Sequence, residues 1–181
     1  MRKIAFTLLF PILLLTALSA LPAAAQELPG GRRGTGLPVP RYVSLKTDRV
    51  NLREGPSKDH RTAWVFQRAG LPVEIIAEYE TWRRIRDSEG TEGWVLHSLL
   101  SGRRTVLIMP WAKDRTPIPL LSRPDDKGDT VAQLQPGVIA NIKECTGSWC
   151  HIQIALERSR DVDGYIRQDK LWGAYPNEKV E

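Results

Sequence analysis

"RAGLPVEIIAEYETWRRI", residues 68–85, lies over "QPGVIANIKECTGSWCHI", residues 135–152. Gly70 meets Gly137, Trp82 meets Trp149 and Ile85 meets Ile152, all at an offset of 67. Farther on, "GWV" at 93–95 meets "GYI" at 164–166 at an offset of 71, with the four extra residues falling in "ALERSRDVDG". Upstream, "LREGP" at 52–56 lies over "LLSRP" at 120–124. A glycine, a W-x-x-I and a Gly-aromatic-aliphatic element recurring in one order mark an internal repeat. The chain reads as two copies of one small unit.

Each copy is built of short apolar runs. In the first copy these are "AWVF" (63–66), "VEIIAEY" (73–79), "WRRIR" (82–86) and "GWVL" (93–96), bounded by Gly, Pro, Asp or Ser. That is the pattern of short strands in a small barrel. "DSEG" (87–90) is a hairpin turn, and "HSLLSG" (97–102) has room for one helical or 3-10 turn. After the N-terminal segment no stretch longer than about ten residues sustains a 3.6-residue apolar period. The fold expected is all-β.

The pattern assigns faces. Leu52 points inward, and Gly55-Pro56 ends pairing and sends the chain into a loop. The glycines ahead of "LPVEII" and "VIANI" allow the tight turn that opens the next strand. Trp82 and Ile85, three apart, do not share a face of a flat strand, so a bulge or strong twist is expected there. Val95 enters the core and Trp94 takes the opposite face.

Arg2 and Lys3 precede an apolar run from Ile4 to about Ala20, and Ala23-Ala24-Ala25 forms an A-x-A cleavage site. Residues 1–25 are therefore expected to be a cleaved signal peptide, leaving no membrane span. The mature chain then starts at Gln26 with 156 residues, in the periplasm or secreted. Residues 26–41, rich in Gly and Pro, read as a flexible linker, and 176–181 as a tail. Loss of Arg2 and Lys3 lowers the formal charge from +5 to about +3. The basic pairs Arg32-Arg33, Arg83-Arg84 and Arg103-Arg104 are spread along the chain, so a nucleic-acid partner is not expected.

Export also bears on the only two cysteines. Cys145 and Cys150 are spaced C-x4-C, and in an oxidising compartment a disulfide is expected rather than a redox or metal pair. A six-residue ring is worth about 2 kcal/mol on the loop-entropy estimate. The matched positions in the first copy, Glu78 and Arg83, form an opposite-charge cross-strand pair worth less than about 1 kcal/mol.

Chemistry finds little purchase. The histidines are His60, His97 and His151, and neither G-x-S-x-G nor H-E-x-x-H occurs. "DDKGD" (125–129) lacks the residue order of a calcium loop, and "LREGPS" (52–57) has neither the glycines nor the following helix of a phosphate loop. No enzyme activity, metal or cofactor is expected.

The order L-R-x-G-P, G-x-x-V-x-I, W-x-x-I, G-W-V resembles the bacterial SH3-like domain family, in particular its paired, exported form. The resemblance covers residues 42–104 and 105–175, and extends to "CTGSWC" and "KLWGAYP" in the second copy. The second copy departs at "LLSRPDD" and at "GYI", which leaves open whether it binds anything. The resemblance implies two tandem SH3-like β-barrels that bind peptides, with peptidoglycan stem peptides as the expected partner. The alternative is a subunit docking onto a proteinaceous partner, an envelope enzyme or secretion complex. For an extended peptide, aromatics flanked by charge are the candidates: Arg53, Glu54, Trp82, Arg83 and Trp94. Trp64 is ambiguous between core and groove, with core preferred. Trp94 is open between the two, and Trp149 and Trp172 are expected to cap the cores.

Overall fold

The structure is a computed structural model, and it describes residues 34–156 and 160–180. The expected signal peptide and residues 26–33 of the linker lie outside the described residues. No helix among the described residues is long and apolar enough to cross a membrane.

The first copy contributes β1 (Arg41–Leu45), β2 (Val50–Arg53), β3 (Thr62–Phe66), β4 (Pro72–Tyr79), β5 (Trp82–Arg86), β6 (Glu92–Leu96) and β7 (Leu100–Ser101). The second contributes β8 (Thr105–Ile108), β9 (Ile118–Leu121), β10 (Thr130–Leu134), β11 (Ile139–Thr146), β12 (Trp149–Ile154), β13 (Val162–Arg167) and β14 (Leu171–Trp172). The strands pair in the order β3-β2-β6-β5-β4-β1-β7 and β10-β9-β13-β12-β11-β8-β14, the same path twice. A single 3-10 turn, His97–Leu99 or Gln168–Lys170, precedes the last strand of each path. The fold is all-β, two tandem SH3-like barrels.

The repeat is legible atom by atom. Gly70 and Gly137 adopt φ of +75° and +82°, the left-handed turn that only glycine takes without strain. Gly93 and Gly164 sit where the backbones press together. A Cβ on Gly93 would lie 2.8 Å from the Arg53 carbonyl oxygen, and one on Gly164 2.7 Å from that of Leu121. The register slips between Ile75 and Ala77 on β4 and between Ile142 and Glu144 on β11. The irregularity expected at W-x-x-I is thus present, but the bulge sits on the strand facing it. A second bulge, at Ala63 on β3 and Val131 on β10, is also repeated.

Each barrel encloses its own core. Leu52, Val73, Ile85 and Val95 centre the first, and Val106, Leu120, Ile152 and Ile166 the second, all buried. Cys145 and Cys150 face each other across β11 and β12 and are joined by a disulfide inside the second core. The segment after β14 differs from its expected role as a tail. Lys179–Val180 forms β15 on the far end of β11, and Glu178 ion-pairs with Arg104 at 2.9 Å. The reason is that the bonding edge of Cys145 and Thr146 needs a partner, and this segment supplies it.

The barrels are tied to each other by polar and aromatic contacts. Thr105 donates its hydroxyl proton to the Gly70 carbonyl at 2.7 Å. Tyr175, from "KLWGAYP", donates its phenol proton to Glu74 at 2.8 Å, and Arg86 grips the other oxygen of that carboxylate. Tyr42 packs against Tyr175 and Trp172, with ring centroids 4.6 and 5.3 Å away. Burial first, then the Glu74 charge, pushes the Tyr42 phenol pKa well above its ordinary value. For Tyr175 burial again leads, joined by its hydrogen bond to Glu74. Both phenols stay protonated, as the Tyr175 hydrogen bond requires.

Candidate functional site

Strand register defines one outer face on the first barrel. Arg53 stands opposite Trp94 on β6, Trp94 opposite Arg84 on β5, and Leu96 opposite Trp82. Residues directly opposite share a face, and alternation puts Leu52, Ile85 and Val95 on the other, inner one. Trp82 and Arg53 line a concavity of about 260 Å³ on this face, walled by Asn51, Leu96 and Leu99, with Arg49 and Lys58 at its rim. Trp82 is only 7% exposed and forms its floor. Three cations surround it and no carboxylate lines it. Neither Arg49 nor Lys58 has an ion-pair partner among the described residues.

Arg53 has a second task. Its Nη1 donates to the carbonyls of Lys58 and His60 at 3.0 and 2.6 Å, pinning the loop that follows β2. That loop therefore presents Lys58 at a fixed edge of the concavity. The second barrel pins its loop from another position, with Arg123 donating to the Lys127 carbonyl at 2.9 Å.

The other residues singled out in the sequence lie around this face or away from it. Trp94 is half-buried beside Arg53 but does not line the concavity. Glu54 is on the loop, ion-paired with the exposed Arg61, whose hydrogen bond lowers the Glu54 carboxyl pKa. Arg83 points to the inner side. Its Nε meets Glu78 at 3.1 Å, its Nη1 donates to the carbonyls of Glu80 and Trp82, and its side chain is 5% exposed. Arg41 and Thr35 also bond Glu78. Burial pushes the Glu78 carboxyl up, but these hydrogen bonds and the Arg83 charge outweigh it and bring its pKa down to about 2. The Glu78–Arg83 pair expected across the strands is present, and it is the centre of a buried cluster.

The matching face of the second barrel is occupied by its own side chains. Arg167 stands opposite Trp149, in the place of Leu96, with its guanidinium 5.0 Å from the ring centroid. Asp126, in the loop position of Lys58, ion-pairs with that guanidinium. His151 stacks on Tyr165 at 4.6 Å and meets Asp163 at 2.8 Å.

Trp64 corrects the preference for core. It lies on the edge strand β3 beside the bulge at Ala63 and is 57% exposed. There it borders a cleft of about 790 Å³ between the barrels, together with Asp87, Lys113 and Arg115. Trp111 is exposed as well; "MPWAKD" carries no repeat or periodicity that would have pointed to it. Arg49 and Lys58 were also missed, because each is a lone basic residue in a turn and only tertiary packing brings them together.

Among the described residues, no group of three or more His, Cys, Asp or Glu is arranged to hold a metal ion. His60 lies against Gly55, and His151 is engaged by Asp163 and Tyr165.

Comparison with known proteins bears on the fold and family. No curated protein sequence matches the chain. Two solved structures from Trichomonas vaginalis, NlpC2 and NlpC1, are similar at 15% and 16% identity, each with a TM-score of 0.32. They cover 74% and 76% of this chain, which spans about half of their length (48% and 47%). The sequence profile of the bacterial SH3 domain matches residues 46–102 and again 114–173, one match on each barrel and together more than half of the chain. With the strand path repeated and both profile matches on it, this chain belongs to the bacterial SH3 domain family.

Proposed function

We propose that this chain is a non-enzymatic binding protein of the bacterial cell envelope that recognises peptidoglycan stem peptides through the outer face of its first barrel. The observation that carries the reading is the concavity over Trp82, rimmed by Arg49, Arg53 and Lys58 with no carboxylate in its lining. A concave, partly apolar surface with a few placed polar groups is the usual form of a small-ligand or peptide site. Unpaired cations there favour an anionic ligand, and stem peptides carry free carboxylates. Membership in the bacterial SH3 domain family supports a peptidoglycan-associated role, and the N-terminal sequence supports export. Purified sacculi test the proposal: the protein should sediment with them at low salt, and a protein left in the supernatant would sink it.

A second reading is a subunit that docks onto a proteinaceous envelope partner. The exposed Trp64 beside the inter-barrel cleft favours it, since exposed tryptophans are common anchors of protein interfaces. Crosslinking from position 64 in the envelope should then capture a defined protein, in cells where sacculus retention is absent.

A further inference from the structure

The two barrels carry the same concave face in opposite electrostatic states. In the second, Arg167 lies over Trp149 and is neutralised by Asp126, so the ring, the cation and the loop carboxylate satisfy one another. In the first, the strand position of Arg167 is Leu96 and the loop position of Asp126 is Lys58. The exchange removes the internal cation, reverses the charge of the loop and leaves an apolar wall. What remains is a concavity of about 260 Å³, large enough for one or two small residues, with a Trp82 floor, a Leu96 wall and unpaired basic groups at the rim.

Resting on the peptide-binding reading above, we infer that the first barrel is a carboxylate-reading site, taking the free carboxyl terminus of a peptide that ends in a small apolar residue. Lys58 and Arg49 meet the carboxylate, and Leu96 with the Trp82 floor meets the terminal side chain. Capture of a terminal carboxylate is a recurring mode of peptide recognition, and Lys or Arg side chains make strong charge-assisted hydrogen bonds to a carboxylate. The second barrel is shut to the same ligand because its own Arg167–Asp126 pair fills and neutralises the equivalent place. Lys58 and Leu96 thus distinguish the two copies, together with Arg49 and Arg53, whose places in the second copy are taken by Pro117 and Leu121.

The test exchanges the two positions in the intact two-barrel protein. The probes are a short synthetic peptide ending in Ala-Ala with a free carboxyl terminus, and the same peptide amidated, titrated by calorimetry. Wild type is expected to bind one free-acid peptide and to bind the amide at least tenfold more weakly. Lys58→Asp with Leu96→Arg, which builds the clamp of the second barrel into the first, should weaken free-acid binding at least tenfold. An unchanged β-sheet circular dichroism spectrum shows that the variant is folded. Asp126→Lys with Arg167→Leu and Pro117→Arg, which gives the second barrel both carboxylate-meeting cations of the first, should raise the stoichiometry towards two. Equal binding of acid and amide, or an exchanged first barrel that binds as wild type does, overturns the inference. Sacculus sedimentation of the same proteins separates the two levels. A wild type retained on sacculi without acid selectivity defeats only the carboxylate assignment, whereas a wild type not retained defeats the peptidoglycan reading.

Discussion

Glu78 and Arg83 face each other across β4 and β5, and Cys145 and Cys150 occupy the same register across β11 and β12. Both pairs close the far end of a hairpin over a small core, one by charge and the other by a covalent bond. The charged closure draws in further groups. Buried carboxylate and guanidinium need all their hydrogen bonds satisfied, so Arg41 and Thr35, from residues ahead of and at the start of β1, are recruited onto Glu78. The disulfide needs no such help, and its neighbouring strand edge is covered by β15 instead. One fold position thus accepts either solution, but each commits a different terminal segment to the barrel.

The largest effect that separates the two closures is expected from Glu78→Gln. It leaves Arg83 and Arg41 nearly buried without their counter-charge, at a cost of about 3 kcal/mol or more. Urea unfolding should show the loss, and amide signals of the first barrel should broaden before those of the second. A change below about 1 kcal/mol would mean that the cluster contributes little.

Acid probes the same group without mutation. The Glu78 carboxyl has a pKa of about 2 when folded against an ordinary 4.5. Its contribution is whole above pH 4.5 and is lost as pH falls through about 2, amounting to about 3 kcal/mol. Thermal melts recorded from pH 5 to pH 2 should lose stability in wild type more steeply than in Glu78→Gln, and parallel curves would refute the assignment.

Reduction acts on the other barrel. Opening the Cys145–Cys150 ring should cost about 2 kcal/mol on the loop-entropy estimate. Added reductant should therefore raise hydrogen exchange in β11 and β12 while β4 and β5 keep their protection. Equal loss in both would show that the inter-barrel contacts make one cooperative unit.

The smallest effect concerns the loops after β2 and β9. In the first, Gly55 makes room for the His60 ring, which a Cβ would strike; in the second, Gly128 makes room for Arg123, whose Cγ a Cβ would approach at 3.1 Å. Small and large have changed places across the loop. Gly55→Ala should destabilise by about 1 kcal/mol, and His60→Gly should remove most of that penalty in a double-mutant cycle. Additive effects would show that the exchange is coincidental.

Much of this was legible in advance. Gly70 and the W-x-x-I element marked a turn and a strand irregularity because backbone sterics and strand alternation leave few other readings there. The inward Leu52 and Val95 followed from strand alternation. Trp64 did not, since an edge strand with a bulge frees its side chain from the alternation rule. Arg83 was legible as the partner of Glu78 but not as buried, because burial depends on what packs over a strand and not on the strand itself. Of the residues proposed for a ligand, Arg53 and Trp82 meet in one concavity. Arg49 and Lys58 join them only through the path of two turns.

The sequence by itself determined the repeat, the all-β architecture, the position of the disulfide and the inward face of core residues such as Leu52 and Val95. These follow from local geometry and from a period of two, which are written along the chain. Tertiary structure alone decided that "KLWGAYP" clasps the first barrel through Tyr175 and Glu74. It also decided which copy leaves its outer face unfilled. Arg167 over Trp149 and Leu96 over Trp82 look like a simple exchange in the alignment. Their consequence depends on Asp126 and Lys58, about forty residues earlier in each copy, arriving at the same rim.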